Sequence, residues 1–231
     1  MVVTGHCQSC QIFSGLTGMG RQLKNRQRRA KRTDKVIGIV VEGEETERQY
    51  FNAIKRRLKL SGVNIEVTHA GKTDPLGIVQ GAIRKRRERV KQSKKDLTKV
   101  PYDEVWVVFD KDHHLPKQNV DQAFALADKE GIKVAYSVPC IEFWFLLHLR
   151  KTNKGFNSST EAVRDLRTEL PDYSKSSINV GTLLPLTVAA IGNAQWVRQN
   201  RPPGNSNGSY TEVDVLVGML NDHAQDDNKI C

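Results

Sequence analysis

The chain has 231 residues, 38% hydrophobic and 27% charged, with 36 Lys+Arg against 26 Asp+Glu and a formal net charge of +10. That is the composition of a soluble globular protein of one domain, or of one domain with a small appendage. No apolar stretch approaches the roughly 20 residues of a membrane span, and the N-terminus, MVVTGHCQSCQIF, lacks the basic-then-apolar order of a secretory signal, so a cytoplasmic protein without membrane contact is expected.

The charge is concentrated. Eight basic residues and one acid in 21–35, and nine and two in 84–99, give +7 each and leave −4 on the rest of the chain. A mildly acidic body with two cationic segments points to a polyanionic partner, nucleic acid above all. The candidate contacts are Arg28, Arg29, Lys31 and Arg32 in the first segment and Arg84, Lys85, Arg86 and Arg87 in the second. The alternative for the second segment is the solvated face of a helix. Cys7 and Cys10 make one CxxC beside His6, with no second pair at zinc-ligand spacing, which is weak ground for a metal or redox role.

In chain order, residues 1–34 show no sustained periodicity and are expected to be a flexible basic arm. Val36–Val41 is a short β-branched run bounded by charge, the pattern of a buried parallel strand. Tyr50, Phe51, Ile54 and Leu58 then share one helical face. Asn64–Thr68 reads as a second strand. Thr73-Asp74-Pro75 is a helix-start signal, followed at helical spacing by Leu76, Val79, Ile83, Val90 and Leu97. Glu104–Phe109 is a third strand, 119–130 a helix ended by Gly131, and Ile132–Val138 a fourth strand. Pro139 opens an apolar helix, CIEFWFLLHL. Beyond residue 150 the pattern is helical: 160–170, then 178–199 interrupted at Pro185, then Val213–Leu220 behind a capping box of Ser209 and Glu212. Strand–helix alternation with short turns predicts an α/β fold: a mostly parallel sheet of about four strands flanked by helices, over 35–150, with a helical C-terminal region, 151–231, packed on it.

In such a sheet, chemistry collects at the carboxyl ends of the strands, and three strands here end in acid. The first delivers Glu42 into a turn at Gly43, with Glu44, Glu45 and Glu47 following. The third delivers Asp110 and Asp112, which on an extended chain point to one side. Two such carboxylates repel unless a cation lies between them, and oxygen-only ligands favour Mg2+ or Mn2+ over Zn2+; the alternative for this pair by itself is two exposed acids that start a loop. Glu44, Glu45 and Glu47 suit electrostatic support of a helix N-terminus, whereas Glu42 precedes the glycine and is free to serve as ligand or as general acid or base. Glu142 stands in apolar surroundings and needs a partner, either a metal or an Arg or helix N-terminus. His148 fits a satisfied core residue; His113 and His114 are better placed to meet a phosphate or leaving group, and Lys111 to meet a phosphate.

These motifs in this order resemble the RloB-like family, whose core is similar to a Toprim domain. The matching pieces are Glu42-Gly43 with Thr46-Glu47 and Tyr50, Phe109-Asp110-Lys111-Asp112, Ser137 to Trp144 with Leu146-Leu147-His148, and Thr211 to Val217. The resemblance covers roughly 36–222. It implies Glu42 as the acid/base glutamate, Asp110 and Asp112 as the metal-binding pair, Mg2+-dependent work on phosphodiesters, and a setting in phage defence, often near a partner ATPase. The chain departs from the pattern in carrying Ser-Val-Pro where Asn-Pro is common, and in its long N-terminus.

The expected function is therefore a metal-dependent nuclease acting on DNA or RNA, possible substrates including tRNA. Its catalytic set is Glu42, Asp110, Asp112, Glu142 and His114, and its metal set is Glu42, Asp110, Asp112 and Glu142. The alternative is a non-catalytic nucleic-acid-binding or regulatory subunit working with an ATPase. A phosphatase of the haloacid dehalogenase kind wants Thr or Val where His114 stands and gives Glu42 no role.

Overall fold

The computed structural model describes residues 35–43, 45–67, 74–111, 117–200 and 208–230. The expected N-terminal arm, with its CxxC and Arg28, Arg29, Lys31 and Arg32, lies outside the described residues. The elements are β1 (Ile37–Val41), α1 (Thr46–Arg57), β2 (Val63–Val67), α2 (Pro75–Lys95), β3 (Glu104–Asp110), α3 (Lys117–Glu130), β4 (Lys133–Val138), α4 (Glu142–Leu149), α5 (Ser159–Glu169), α6 (Val180–Leu183), α7 (Thr187–Gln199), β5 (Tyr210–Thr211) and α8 (Val213–Asp222). The sheet order is β2-β1-β3-β4-β5, with the first four strands parallel and β5 antiparallel to β4. This is the α/β architecture expected.

The period of two along each strand sorts the core into two layers. Ile37, Ile39, Val41, Trp106 and Val108 face α1, α4 and the C-terminal helices, while Val40, Val105, Val107 and Phe109 face α2 and α3. Both faces are covered, which is why β1 is apolar without alternation. The α1 face read from spacing holds: Tyr50, Phe51, Ile54 and Leu58 are all buried, each contributing about 1.5–3 kcal/mol. Helices α5 and α7 join the same cluster through Phe156, Leu166, Ala190, Ala194 and Val197. Gly131 turns α3 into β4 at φ +64°, a left-handed conformation that glycine adopts without a Cβ penalty.

Helix α2 begins as its sequence predicts, with the Asp74 carboxylate accepting from the Gly77 N–H at 2.9 Å and Pro75 in the first turn. Its far half departs from expectation. Val90 is 39% exposed, because 21 residues at about 1.5 Å each outrun the short strands beneath, and Leu97, 77% exposed, lies beyond the helix end at Lys95.

The C-terminal region brings two further corrections. Ser209 and Glu212 form no capping box: Ser209 Oγ accepts from the Phe156 N–H (3.0 Å), and α8 starts without a side-chain cap. The chain instead makes β5, with Thr211 Oγ1 3.0 Å from Ser137 Oγ and accepting from the Val213 N–H. Two residues are too few to carry a strand pattern. Arg198 clasps Asp214 through two 2.6 Å bonds, tying α7 to α8 at a carboxylate 2% exposed. Second, Val180–Gln199 is 20 residues long with hydropathy 1.2, enough by length and composition to cross a membrane. Its apolar residues alternate with Thr, Asn and Gln, so no unbroken run marks it, and a third of it is buried in the fold.

Candidate active site

The strand order reverses between β1 and β3, and the crevice beyond the carboxyl ends of those two strands is where open α/β sheets bind ligands. Glu42 leaves β1 there, its own N–H still donating to Val108 O of β3 (3.2 Å). Asp110 ends β3, and its N–H donates to Glu42 Oε2 at 3.2 Å. The two acids are thus fixed by sheet pairing, not by a loop.

Glu142 arrives from the next element. It is the first residue of α4 and 3% exposed. Its partner is neither of the alternatives considered alone: besides its place in the first helical turn, Glu142 Oε1 accepts from the Tyr173 hydroxyl at 2.7 Å. Glu42, Asp110 and Glu142 line one cleft of about 330 Å3 together with Gly43, Thr46, Glu47, Ile141 and Lys175.

Three of those residues escaped the sequence. Glu47 suits helix N-terminal electrostatics by its position, yet it is 8% exposed and its carboxylate folds back against Gly43. A Cβ at Gly43 would overlap the Glu47 carboxylate, so the glycine is demanded by this approach. The spacing Glu-Gly-x-x-x-Glu was a usable signal. Tyr173 and Lys175 had no local signal. They reach the cleft on a turn closed by reciprocal bonds between Ser174 and Ser177, held to α1 by Thr46 Oγ1 donating to Lys175 O and Gln49 Nε2 donating to Ser176 O (2.9 Å).

The carboxylates perturb one another. Burial pushes Glu42 up to about 7, with Glu47 adding repulsion, while the Asp110 N–H and Lys175 oppose the rise. Asp110 is held well above the ordinary carboxylate range, first by burial and then by Glu47, Glu142 and Glu42. Glu47 is raised by burial and by Glu142. Burial, with Glu142 beside it, pushes the Tyr173 phenol up, and the Cys140 thiol rises through burial and then Asp110 and Glu142, so neither ionises in the neutral range. A cluster of oxygen donors that suppress one another's ionisation has the chemistry of a hard divalent cation site. Among the described residues, no three His, Cys, Asp or Glu side chains stand close enough to hold an ion as placed.

The remaining expected residues divide. Asp112, His113 and His114 lie outside the described residues. Lys111 follows Asp110 in the chain but does not line the cleft; its ammonium lies 5.7 Å from the Tyr136 ring centroid. The basic run on α2 is elsewhere. Arg86 donates to Glu130 O and Glu130 Oε2, both at 2.6 Å, at the end of α3, and Arg89 donates to Val100 O ahead of β3. Those partners precede the strands, so Arg84, Lys85, Arg86 and Arg87 sit toward the amino edge of the sheet, a strand length of about 17–23 Å from the carboxylates. Arg86 is committed to joining α2 to α3, with Arg87 3.8 Å from the same glutamate. His148 is the satisfied core residue expected, Nδ1 3.0 Å from Trp144 O and Nε2 3.4 Å from the Tyr50 hydroxyl.

Residues 37–220 match the family model described as RloB-like protein. No curated protein and no solved structure matches the chain.

Proposed function

The chain belongs to the RloB-like family, and from that premise we propose that it is a metal-dependent nuclease cleaving phosphodiester bonds of DNA or RNA in antiviral defence. The observation that carries the reading is the convergence of Glu42, Glu47, Asp110 and Glu142 on one cleft at the switch point of a parallel sheet. Four acids there cost folding stability, and such a cost is retained where a site needs it.

Glu42 and Asp110, with Asp112, would hold Mg2+ or Mn2+; Glu47 and Glu142 are the further oxygen donors in the cleft. When bound, the ion supplies Lewis-acid activation of the scissile phosphate. Burial holds Glu42 at about 7 in the metal-free fold; where Asp110 and Asp112 take the ion, Glu42 would be the group that moves the proton. Glu142 keeps its orientation through Tyr173. Lys175 supplies the positive charge among the lining residues, where a phosphate's charge would otherwise meet only acids. Lys111, next to Asp110 in the chain, meets the flanking phosphate.

The test is cleavage of DNA and structured RNA with Mg2+ or Mn2+ by the wild type, Asp110→Ala and Glu42→Ala. Cleavage that both substitutions abolish supports the proposal; cleavage surviving both sinks it. The second reading is a binding or regulatory subunit working with an ATPase. Salt-sensitive binding with no metal-dependent cleavage would establish it instead.

A further inference from the structure

Beside the cleft, a groove of about 840 Å3 runs between α1 and the segment 178–184, and Glu45 lines both the groove and the cleft. One wall of the groove is a stripe of α1: Arg48, Asn52 and Arg56 at i, i+4 and i+8. A rise of about 1.5 Å per residue spaces them about 6 Å apart along one line, so the two guanidiniums stand about 12 Å apart at their Cα atoms. A line of two guanidiniums with the amide of Asn52 between them can follow the backbone of one nucleic acid strand. Asn179 and Gly181 form the facing wall, and Gln49 joins the groove to the turn that carries Lys175.

The arginines in this stripe differ from Arg57, Arg86 and Arg198, whose guanidiniums are committed within the fold. Arg48 and Arg56 are exposed and make no hydrogen bond or ion pair among the described residues. Arg57, next in sequence, donates to Asn228 O and Lys229 O; Arg86 and Arg198 are locked to Glu130 and Asp214. Unpaired guanidiniums aligned on one helix face, opening onto an acidic cleft, leave the fold nothing to gain from them and a phosphate chain much. No aromatic ring lines the groove, so bases find no stacking platform and recognition falls to the backbone.

We propose that this groove seats a single nucleic acid strand, its successive phosphates passing Arg56, Asn52 and Arg48 on the way to the carboxylate cleft. The proposal deepens the nuclease reading and rests on it for the direction of the strand. It assigns the grip to α1, while the more conspicuous basic run of α2 lies on the opposite face of the sheet.

The experiment is fluorescence anisotropy with a labelled 12-nucleotide RNA and the matching DNA, in EDTA so that cleavage is silent, across about 50–250 mM KCl. Single-strand binding loses about 0.7 in log–log salt slope per phosphate contact removed. Arg48→Ala/Arg56→Ala should therefore flatten the slope by about 1.4 and weaken binding about tenfold or more at low salt. The Lys/Lys double variant should restore most of the slope but less of the affinity, because ammonium keeps the charge and loses the fork. Arg164→Ala, at an exposed arginine of α5, should leave the slope unchanged. Both groove arginines are exposed, and an unchanged melting temperature shows that the fold is intact. A larger loss on RNA than on DNA, or the reverse, identifies which strand the groove takes. An unchanged slope in the Ala/Ala variant, an equal loss in Arg164→Ala, or no binding by the wild type at 50 mM salt would overturn the proposal. Groove-dependent binding without metal-dependent cleavage would leave the groove standing and refute the nuclease reading; cleavage indifferent to the Ala/Ala change would do the opposite.

Discussion

Replacing Glu42 with Gln should stabilise the metal-free protein while abolishing cleavage. A carboxyl held at about 7 in the fold and near 4.5 in the unfolded chain keeps its proton to higher pH when folded. Below pH 4.5 both states are neutral and Glu42 costs nothing. Between 4.5 and 7 the unfolded chain sheds its proton first, and above 7 the full cost is present, about 3 kcal/mol at most. Partial exposure and salt reduce this to about 1–3 kcal/mol. Gln keeps an oxygen to accept from the Asp110 N–H, so the one fold-state bond of the side chain survives. For a folded unit of this size each kcal/mol shifts the melting temperature by about 2–4 °C, so E42Q should melt about 2–12 °C higher at pH 8 in EDTA. The gain should vanish toward pH 4.5. Thermal melts of wild type and variant between pH 4.5 and 8.5 decide it. A variant that melts lower at pH 8, or a gain that does not depend on pH, would refute the account of the cluster as a store of unfavourable charge.

Gly43→Ala should leave the melting temperature within a few degrees, because the Glu47 side chain can swing aside, but cleavage should fall steeply as that carboxylate leaves its place. Circular dichroism and a nuclease assay on the same sample separate the two effects. Arg198→Ala strands Asp214, 2% exposed, and should cost about 3–5 kcal/mol by urea denaturation, with Arg198→Lys in between. Burial holds His148 down to about 4, so between pH 6.5 and 4 the unfolded chain binds a proton that the fold refuses. Stability from this residue therefore drops as pH falls through that window, by up to about 3 kcal/mol, and a His148→Phe variant should lack that part of the wild type's acid-side loss.

The parts of the fold legible in the sequence are those where one local pattern decides. VIGIVV and EVWVVF cannot alternate and so announce strands covered on both faces, and Asp74-Pro75 announces a helix start by its own chemistry. Glu42 and Asp110 were legible because each follows such a strand, and Glu142 because an acid amid Phe, Trp and Leu needs a reason. Glu47 was misread because an acid in a first helical turn has a sufficient local explanation, and only the fold shows its carboxylate turned under Gly43. Tyr173 and Lys175 were invisible for a different reason: they reach their partners across the chain, Tyr173 to Glu142 and Lys175 to Thr46, and their own neighbours are plain polar turn residues. The basic run on α2 is legible in the sequence as charge but not as position. Net charge along a sequence says nothing of which end of a strand it will lie beside, and Arg86 on Glu130 settles that end.

The turn that carries Lys175 also sets an order of assembly. A ribosome releases Glu42, Asp110 and Glu142 well before Tyr173 and Lys175, and β5 and α8 emerge later still. Until then Glu142 lacks its phenol, the acids lack their lysine, and β4 lacks its antiparallel neighbour. A growing chain thus passes through synthesis with its acids already made and its cleft unfinished, and a message broken before codon 173 yields a product with carboxylates but no completed site.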